Sequence, residues 1–152
     1  MITHVKIKAG LNKEDEKNCT DVFRDIMHLK HELNALANNV AATLDLRGSE
    51  MAIIDTLGKY GSLTMSELAA ACFFSPPNAT YTVRALEKRK LLTKLRSESS
   101  QRVVVVELTS AGEKIFRKSY PGTIQKVGRF LSNKLNIKER QTLSRLLDKL
   151  AG

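Results

Sequence analysis

Tryptophan is absent from this sequence of 152 residues, and aromatic residues make up only 5% of it. A hydrophobic core must therefore rest on aliphatic side chains, which are abundant because apolar residues reach 42%. The two cysteines, Cys19 and Cys72, are too few for a disulfide framework. No apolar run approaches the roughly 18 residues of a membrane span, and the first residues lack the apolar segment of a signal peptide. These absences predict a cytoplasmic protein in a reducing compartment, with no cofactor, metal site or membrane partner.

The sequence also lacks the residue patterns on which enzymes depend. No nucleophile–base pair, metal-ligand cluster or glycine-rich phosphate loop is present, so an enzyme is disfavoured. His28 and His31 lie three residues apart and could face one ligand or metal, but two surface or interfacial histidines are the favoured interpretation. Redox sensing by Cys19 or Cys72 is a further alternative, and a buried, inert Cys72 is favoured over it.

Positive charge is what the sequence has in excess. Lysine and arginine number 25 against 16 acidic residues, which gives a net charge of +9. Seven of the basic residues and two of the acidic ones lie between Ser75 and Arg102, so this segment carries more than half of the net charge. A basic excess of this kind favours a polyanionic partner.

The apolar pattern divides the chain into four segments. Residues 1–18 show no periodicity and are predicted to be a flexible arm. Residues 19–46 form a predicted helix whose apolar positions alternate in steps of four and three, a narrow seam typical of helix–helix packing. The seam contains Val22, Ile26, Leu29, Leu33, Leu36 and Val40. Residues 47–112 are predicted to form a helix–strand lobe, and residues 113–152 form C-terminal helices.

Capping signals position the first helices of the lobe. Ser49 is the predicted N-cap of a helix over Glu50–Lys59. Thr64 and Glu67 match a capping box, in which each side chain accepts a hydrogen bond from a free backbone N–H of the other. Ser75 is a second cap, and the two prolines after it suit a first helical turn.

The helix after Ser75, over residues 76–90, has Ala79, Val83 and Leu86 on one face. Beyond it the apolar pattern changes to a period of two on both sides of the polar loop Arg96–Arg102. This change predicts two antiparallel strands that form a basic ribbon.

Two more helices are predicted after the ribbon. Thr109 and Gly112 open the first, and Pro121–Gly122 inside it predicts a kink or a break. Asn136 begins the last helix, whose apolar positions are Leu143, Leu146, Leu147 and Leu150. The pattern as a whole predicts one compact domain that is mainly α (α+β): a winged helix-turn-helix with a two-stranded β wing and helices at both ends.

With the Thr64–Glu67 box, the Ser75 cap and the run Leu108–Gly112 in view, the chain resembles the MarR family of bacterial transcription regulators. The resemblance covers nearly the whole length. It is strongest where the wing leads into the next helix, since that family has an Asp-x-Arg motif, a short strand and then Leu-Thr-x-x-Gly. The matching residues here are Ser100–Arg102 and Leu108–Gly112.

Three positions depart from the family pattern. Ser100 stands where the family has the aspartate that braces the wing arginine. Lys90 stands where the family has a glycine directly after the helix over residues 76–90. It must therefore adopt a strained turn or end the helix differently. Tyr81 stands where the family often has an arginine, which bears on base preference and not on the fold.

The residues of the helix over 76–90 and of the ribbon are suited to contacts with double-stranded DNA. Short polar and basic side chains at the start of a helix reach base edges in the major groove, and an arginine on a wing suits the minor groove. Hydroxyls at helix starts suit phosphate oxygens. The predicted DNA-binding residues are Ser62, Thr64, Ser75, Pro77, Asn78, Thr80, Tyr81, Arg84, Lys88, Lys94, Arg96 and Arg102. The alternative interpretation is a solvated helix face next to an ordinary charged hairpin.

The terminal helices are predicted to form a homodimer, because one copy has only its own C-terminal helices to cover the seam. The predicted dimer contacts are Val22, Ile26, Leu29, Leu33, Leu143 and Leu147. Two-fold symmetry then predicts a pseudo-palindromic operator. The resemblance implies a repressor that a small aromatic ligand releases from DNA. A protein-interaction adaptor and a nonspecific nucleoid-type DNA binder are the alternatives.

Overall fold

A computed structural model describes the backbone of residues 12–97 and 100–151 and the side chains of residues 12–96 and 104–150. These residues form six helices and three strands. They are α1 (Lys13–Ala42), α2 (Gly48–Tyr60), β1 (Leu63–Thr64), α3 (Met65–Ala71), α4 (Pro76–Lys88), β2 (Leu92–Ser97), β3 (Ser100–Leu108), α5 (Ser110–Lys134) and α6 (Ile137–Ala151). No helix in this part of the chain has the length and hydropathy needed to cross a membrane.

The chain divides into two compact units, with the boundary between Asn34 and Ala35. In the first unit, α1 begins at Lys13, so the prediction of a flexible arm up to residue 18 is wrong over its last residues. The earlier start has a local cause: Asn12 Oδ1 accepts hydrogen bonds from the backbone N–H groups of Glu14 (3.1 Å) and Asp15 (2.9 Å). Acidic residues in the first turn also stabilise the helix through their interaction with the positive end of its macrodipole. The rest of the predicted arm lies outside the described residues.

The second unit has a core of aliphatic side chains, as the scarcity of aromatic residues predicts. Its fully buried large apolar side chains come from α2, α3, α4 and the sheet. They are Ile53, Ile54, Leu68, Val83, Leu86, Leu92 and Val106. Each such side chain stabilises the fold by roughly 1.5–3 kcal/mol through its removal from water. This core fixes which face of α4 points outward.

The start of α2 differs from the prediction. The N-cap is Arg47 and not Ser49, and the helix begins at Gly48. Glu50 causes the shift, because its Oε2 accepts a hydrogen bond of 2.8 Å from the Arg47 N–H. The cap is therefore made by the carboxylate three residues on, and the Arg47 side chain takes no part in it.

The predicted two-stranded wing is formed by β2 and β3, and among the described residues a third strand, β1, extends the sheet in the order β1-β3-β2. β2 and β3 pair antiparallel from Leu92↔Leu108 to Arg96↔Val104. β1 adds two residues, with Leu63 opposite Val106. The third strand attaches the ribbon to the helical lobe just before α3. With this addition, the predicted winged helix-turn-helix fold is confirmed.

The chain leaves α4 through a residue with a left-handed backbone. Lys90 has φ +57°, which confirms the strained turn expected where a glycine is usual. The conformation lets the Leu91 N–H reach the carbonyl of Leu86, at 3.0 Å, and turns the chain into β2.

The long helix α5 runs through Pro121 without interruption, so of the predicted kink or break, the break is wrong. A proline removes one backbone N–H from a helix, and the turns before it are held by side chains. The Phe116 ring packs directly on Gly58, and Ser119 Oγ donates a hydrogen bond of 2.7 Å to Asp55 Oδ1. Asn136 caps α6 as predicted, since its Oδ1 accepts from the Glu139 N–H.

Candidate nucleic-acid interface

The turn before α4 exposes the N-terminus of this helix. Ser75 is the N-cap, as predicted, but its hydroxyl makes no capping hydrogen bond. Pro76 and Pro77 occupy the first two helical positions, and neither has a backbone N–H that needs a partner. All three residues are exposed. The Ser75 hydroxyl is therefore available at the end of the helix that favours anions.

The inner face of α4 is fixed by the core, and this determines its outer face. Ala79, Val83 and Leu86 are completely buried. Thr82 is buried beside them, and its hydroxyl donates to the Asn78 carbonyl at 2.8 Å. The five predicted DNA-binding residues that follow the two prolines are all exposed: Asn78, Thr80, Tyr81, Arg84 and Lys88. The structure thus brings these residues onto one helix surface, called the α4 face below.

The basic side chains of the α4 face differ from their neighbours in how they are paired. Arg84 and Lys88 form no salt bridge within the described part of the chain. Arg89, by contrast, lies 3.4 Å from both Asp45 and Glu50 and ties the end of α4 to the start of α2. Arg84 and Lys88 are the cations of this helix best placed to meet an anion.

Two residues of the α4 face are partly engaged by the protein itself. Thr80 Oγ1 donates to the Pro76 carbonyl at 2.9 Å, so its methyl group is the part left for an outside contact. Tyr81 is 63% exposed, and its hydroxyl lies 3.4 Å from Arg47 Nη1. This hydrogen bond raises the pKa of the Arg47 guanidinium.

Arg47 is the residue that the sequence analysis missed on this surface. It is exposed at the N-cap of α2 and meets α4 at Tyr81. No local signal marks it, because Ser49 is the better N-cap candidate in the sequence and Tyr81 lies 34 residues further along the chain.

The ribbon presents fewer free charges than its composition suggests. Lys94 is engaged, since its Nζ lies 2.8 Å from Glu87 Oε2 of α4. Arg96 is exposed on β2, opposite Val104. The backbone of Arg102 belongs to β3, but its side chain lies outside the described residues. Its predicted place in the minor groove therefore stays a prediction.

The hydroxyls of Ser62 and Thr64 are used within the protein. Ser62 Oγ donates to Glu107 Oε2 at 3.1 Å. Thr64 completes the predicted capping box with Glu67, which accepts from the Thr64 N–H at 2.8 Å and so has its pKa lowered. A phosphate contact from either hydroxyl would have to replace one of these hydrogen bonds.

The residues predicted to form dimer contacts are apolar and partly exposed in both units. In the first unit Val22 is 51% exposed and Ile26 is exposed, while Leu29 and Leu33 are half-buried. In the second unit Leu147 is 43% exposed and Leu143 is half-buried. Among the residues that the structure describes, none of these side chains is completely covered.

The sulfur and imidazole groups show no site built around them. Cys72 is half-buried, and its Sγ lies 3.3 Å from Thr56 Oγ1. Burial raises the pKa of the Cys72 thiol, which disfavours the reactive thiolate. Cys19 is exposed, as are His28 and His31. In the residues that the structure describes, no three His, Cys, Asp or Glu side chains come together as a metal site.

A cleft of about 360 Å³ lies where α2, the sheet and α5 meet. Phe116 and Gly58 form its apolar side, while Glu107, Glu113 and Arg117 form its charged side. Arg117 is bound to Glu113 at 2.9 Å. The cleft can admit a small molecule, but two carboxylates make it a poor site for an acid.

Sequence comparison relates the chain to known regulators. The MarR family model matches residues 46–104. The HTH-type transcriptional regulator FarR of Neisseria gonorrhoeae is 31% identical over 113 residues, which cover 74% of this chain and 67% of FarR. Some curated relatives are matched over less of their length; the chain spans about half, 48%, of one HTH-type regulator of Bacillus subtilis.

Solved structures share the fold. A single-residue mutant of E. coli MarR complexed with operator DNA matches with a TM-score of 0.79 at 21% identity, over 89% of this chain and 96% of that one. BpsR of Bordetella bronchiseptica, whose DNA binding is regulated by 6-hydroxynicotinic acid, matches with a TM-score of 0.76 at 20% identity. That match covers 87% of this chain and 99% of BpsR.

Proposed function

Because this chain belongs to the MarR family, we propose that it is a dimeric transcriptional regulator that binds a specific DNA operator. The observation that carries the proposal is the α4 face, where exposed polar and basic side chains stand on a helix fixed from behind by the core. The regulator acts on chromosomal DNA in the cytoplasm, and catalysis forms no part of its role.

Base reading comes from the first turns of α4 in the major groove. Asn78 pairs with an adenine through its amide, which offers one donor and one acceptor. Arg84, two turns into the helix and free of a carboxylate among the described residues, contacts a guanine or a phosphate. Lys88 and the Ser75 hydroxyl hold the DNA backbone on either side.

The wing adds a contact in the adjacent minor groove. Arg96 on β2 and Arg102 on β3 supply cations at the end of the ribbon, where a narrow minor groove has its strongest negative potential. Lys94 has a lesser part, because Glu87 already neutralises it. Two copies related by a two-fold axis then occupy half-sites of a pseudo-palindrome about one helical turn apart.

A small aromatic ligand is proposed as the effector that releases a repressor from DNA. Support comes from BpsR, whose DNA binding is regulated by such a molecule. A ligand acts in this way only if it binds the DNA-free arrangement more tightly than the DNA-bound one.

A titration of the protein against its own upstream DNA, at several salt concentrations, tests the proposal. Arg84→Ala is expected to weaken binding by about 30-fold or more, because each of the two subunits loses a base contact worth at least about 1 kcal/mol. Arg102→Ala is expected to reduce the slope of log affinity against log salt by about 2, because the dimer loses one phosphate-type contact in each half-site. Lys118→Ala, an exposed charge on α5, is the matched control and leaves binding unchanged.

The proposal fails if Arg84→Ala and Arg102→Ala both bind as the wild type does. Footprinting separates the alternatives. A bounded protected site supports an operator-specific regulator. Protection without boundaries indicates a nonspecific nucleoid-type binder, and weak, sequence-indifferent binding with a protein partner indicates an adaptor.

A further inference from the structure

We propose that Arg47 and Tyr81 act as one coupled unit in operator recognition, in which Arg47 orients the Tyr81 hydroxyl toward a base edge that carries an acceptor. The inference rests on the proposed DNA binding of α4, and it specifies which bases the Tyr81 position of this surface selects. It predicts discrimination against cytosine at that position.

Arg47 occupies a place where its side chain does not help the helix. Arginine is a poor N-cap residue, and a positive charge at a helix N-terminus opposes the macrodipole. The cap of α2 is instead made by Glu50, which accepts the Arg47 N–H at 2.8 Å. Capping of α2 therefore does not explain why an arginine side chain is present at this position.

The side chain reaches α4 across 34 residues of sequence, where Nη1 lies 3.4 Å from the Tyr81 hydroxyl oxygen. Tyr81 stands three residues after Asn78 and three before Arg84, so all three lie on one side of the helix. The contact thus brings an arginine from a different element to the middle of the α4 face.

The chemistry of the pair sets the direction of its hydrogen bonds. A guanidinium has five N–H donors and no acceptor, whereas a phenol hydroxyl can both donate and accept. The Tyr81 oxygen must therefore accept from Arg47, and its proton is left to donate outward. In the major groove guanine, adenine and thymine each present an acceptor, whereas cytosine presents only its amino donor.

The charge of Arg47 is also available to the DNA backbone. An open cleft of about 560 Å³ lies beside the pair, and its acidic residues, Asp45 and Glu50, are both paired with Arg89. Arg47 forms no salt bridge with any described side chain. Its remaining donors can therefore meet a phosphate next to the base that Tyr81 contacts.

A double-mutant cycle on the footprinted operator tests the coupling, with every base pair of one half-site varied in turn. Tyr81→Phe removes the hydroxyl and keeps the ring, and it is expected to abolish an approximately tenfold penalty against cytosine at one position. Arg47→Ala is expected to abolish the same penalty and to lower the salt slope by about 2, one for each subunit of the dimer. The double variant is expected to bind no worse than Arg47→Ala alone.

Arg47→Lys and Lys118→Ala complete the design. Arg47→Lys keeps the charge but loses the planar fork, so the salt slope is retained while the penalty against cytosine is reduced. Lys118→Ala leaves both unchanged. Thermal unfolding of each variant shows whether it is folded before binding is compared.

Unchanged base preference in Tyr81→Phe, or strictly additive effects of the two substitutions, would overturn the coupling. Measurement of Arg84→Ala in the same assay distinguishes a failure of the coupling from a failure of the proposed function. If Arg84→Ala weakens binding while the Arg47 and Tyr81 variants match the wild type, only the coupling is wrong. If no variant and no base substitution changes binding, DNA recognition by α4 is itself wrong.

Discussion

At the scale of single residues, the Asp55 carboxylate carries a charge that its partial burial disfavours. It is half-buried on α2, and burial raises the pKa of its carboxyl, while the hydrogen bond from Ser119 has the opposite, smaller effect. Ser119 is fully buried, so its hydroxyl has no water to replace this partner. The pair satisfies both groups but keeps a charge away from solvent.

The raised pKa determines how stability depends on pH. Because the folded-state pKa lies above the unfolded value of about 3.9, the contribution of Asp55 is fully present below that value and is lost as pH rises through the folded-state pKa. Asp55→Asn keeps an oxygen that accepts from Ser119 and removes the charge. We therefore expect the variant to have the larger free energy of unfolding at neutral pH, with the difference disappearing below about pH 4.

Urea unfolding across this pH range measures the effect, and Ser119→Ala provides the companion measurement. In the wild type, Ser119→Ala leaves the half-buried carboxylate without its donor and is expected to cost about 2 kcal/mol at neutral pH, in the range for a hydrogen bond to a charged group. In the Asp55→Asn background the cost is smaller, about 1 kcal/mol, because no charge is left unpaired. A wild type that gains stability over Asp55→Asn as the pH rises would contradict the assignment.

At the scale of elements, the junction between the wing and α5 connects the sheet to the end of α4. Thr109 donates its N–H to the Leu91 carbonyl at 3.1 Å and its hydroxyl to the Lys90 carbonyl at 2.8 Å. The Thr109 oxygen also accepts from the Gly112 N–H at 3.2 Å and so caps α5. Gly112 packs so closely on Leu91 that a Cβ would collide with its backbone carbonyl. The motif Leu-Thr-x-x-Gly therefore has a structural cause.

Substitution of two glycines in α5 tests this explanation. Gly112→Ala is expected to lower the free energy of unfolding by about 1–3 kcal/mol, because backbone atoms must move to admit the methyl group. Gly128→Ala is the matched control: nothing lies within 4 Å of its added Cβ. Since glycine is unfavourable inside a helix, this control is expected to raise stability by about 0.5–1 kcal/mol. Denaturant unfolding with equal effects from the two substitutions would exclude the close-packing explanation.

The separation in sequence between interacting residues explains which elements could be predicted. The Thr64–Glu67 box and the Thr109 and Asn136 caps depend on residues three apart, and the sequence contains all the information they need. β1 exists only because Leu63 and Thr64 meet β3 far along the chain, and so it could not be predicted locally. The Arg47–Tyr81 contact escaped for the same reason. The continuity of α5 depends on tertiary contacts that outweigh the cost of Pro121.

At the scale of the whole molecule, charge and exposed apolar surface point to different partners. The net charge of +9 suits an anionic partner, and the α4 face offers basic groups for it. The apolar positions of α1 and α6 suit another protein surface instead. Leu150 is the most exposed of those on α6, at 71%. Apolar residues repeated along one helix face predict association more strongly than isolated ones do.

The proposed homodimer places these apolar positions in its interface, so a charge introduced there should separate the subunits. Leu147→Glu on α6 and Val22→Glu on α1 are each expected to raise the dimer dissociation constant by about 100-fold or more. Two-fold symmetry loses the contact twice, and each loss is worth at least about 1.5 kcal/mol. Gln141→Glu, on the opposite face of α6, adds the same charge and is expected to leave the constant unchanged. Sedimentation equilibrium measures the constant for the wild type and the three variants. A wild type that stays monomeric at micromolar concentration, or a Leu147→Glu variant as dimeric as Gln141→Glu, would remove the basis for a two-fold operator.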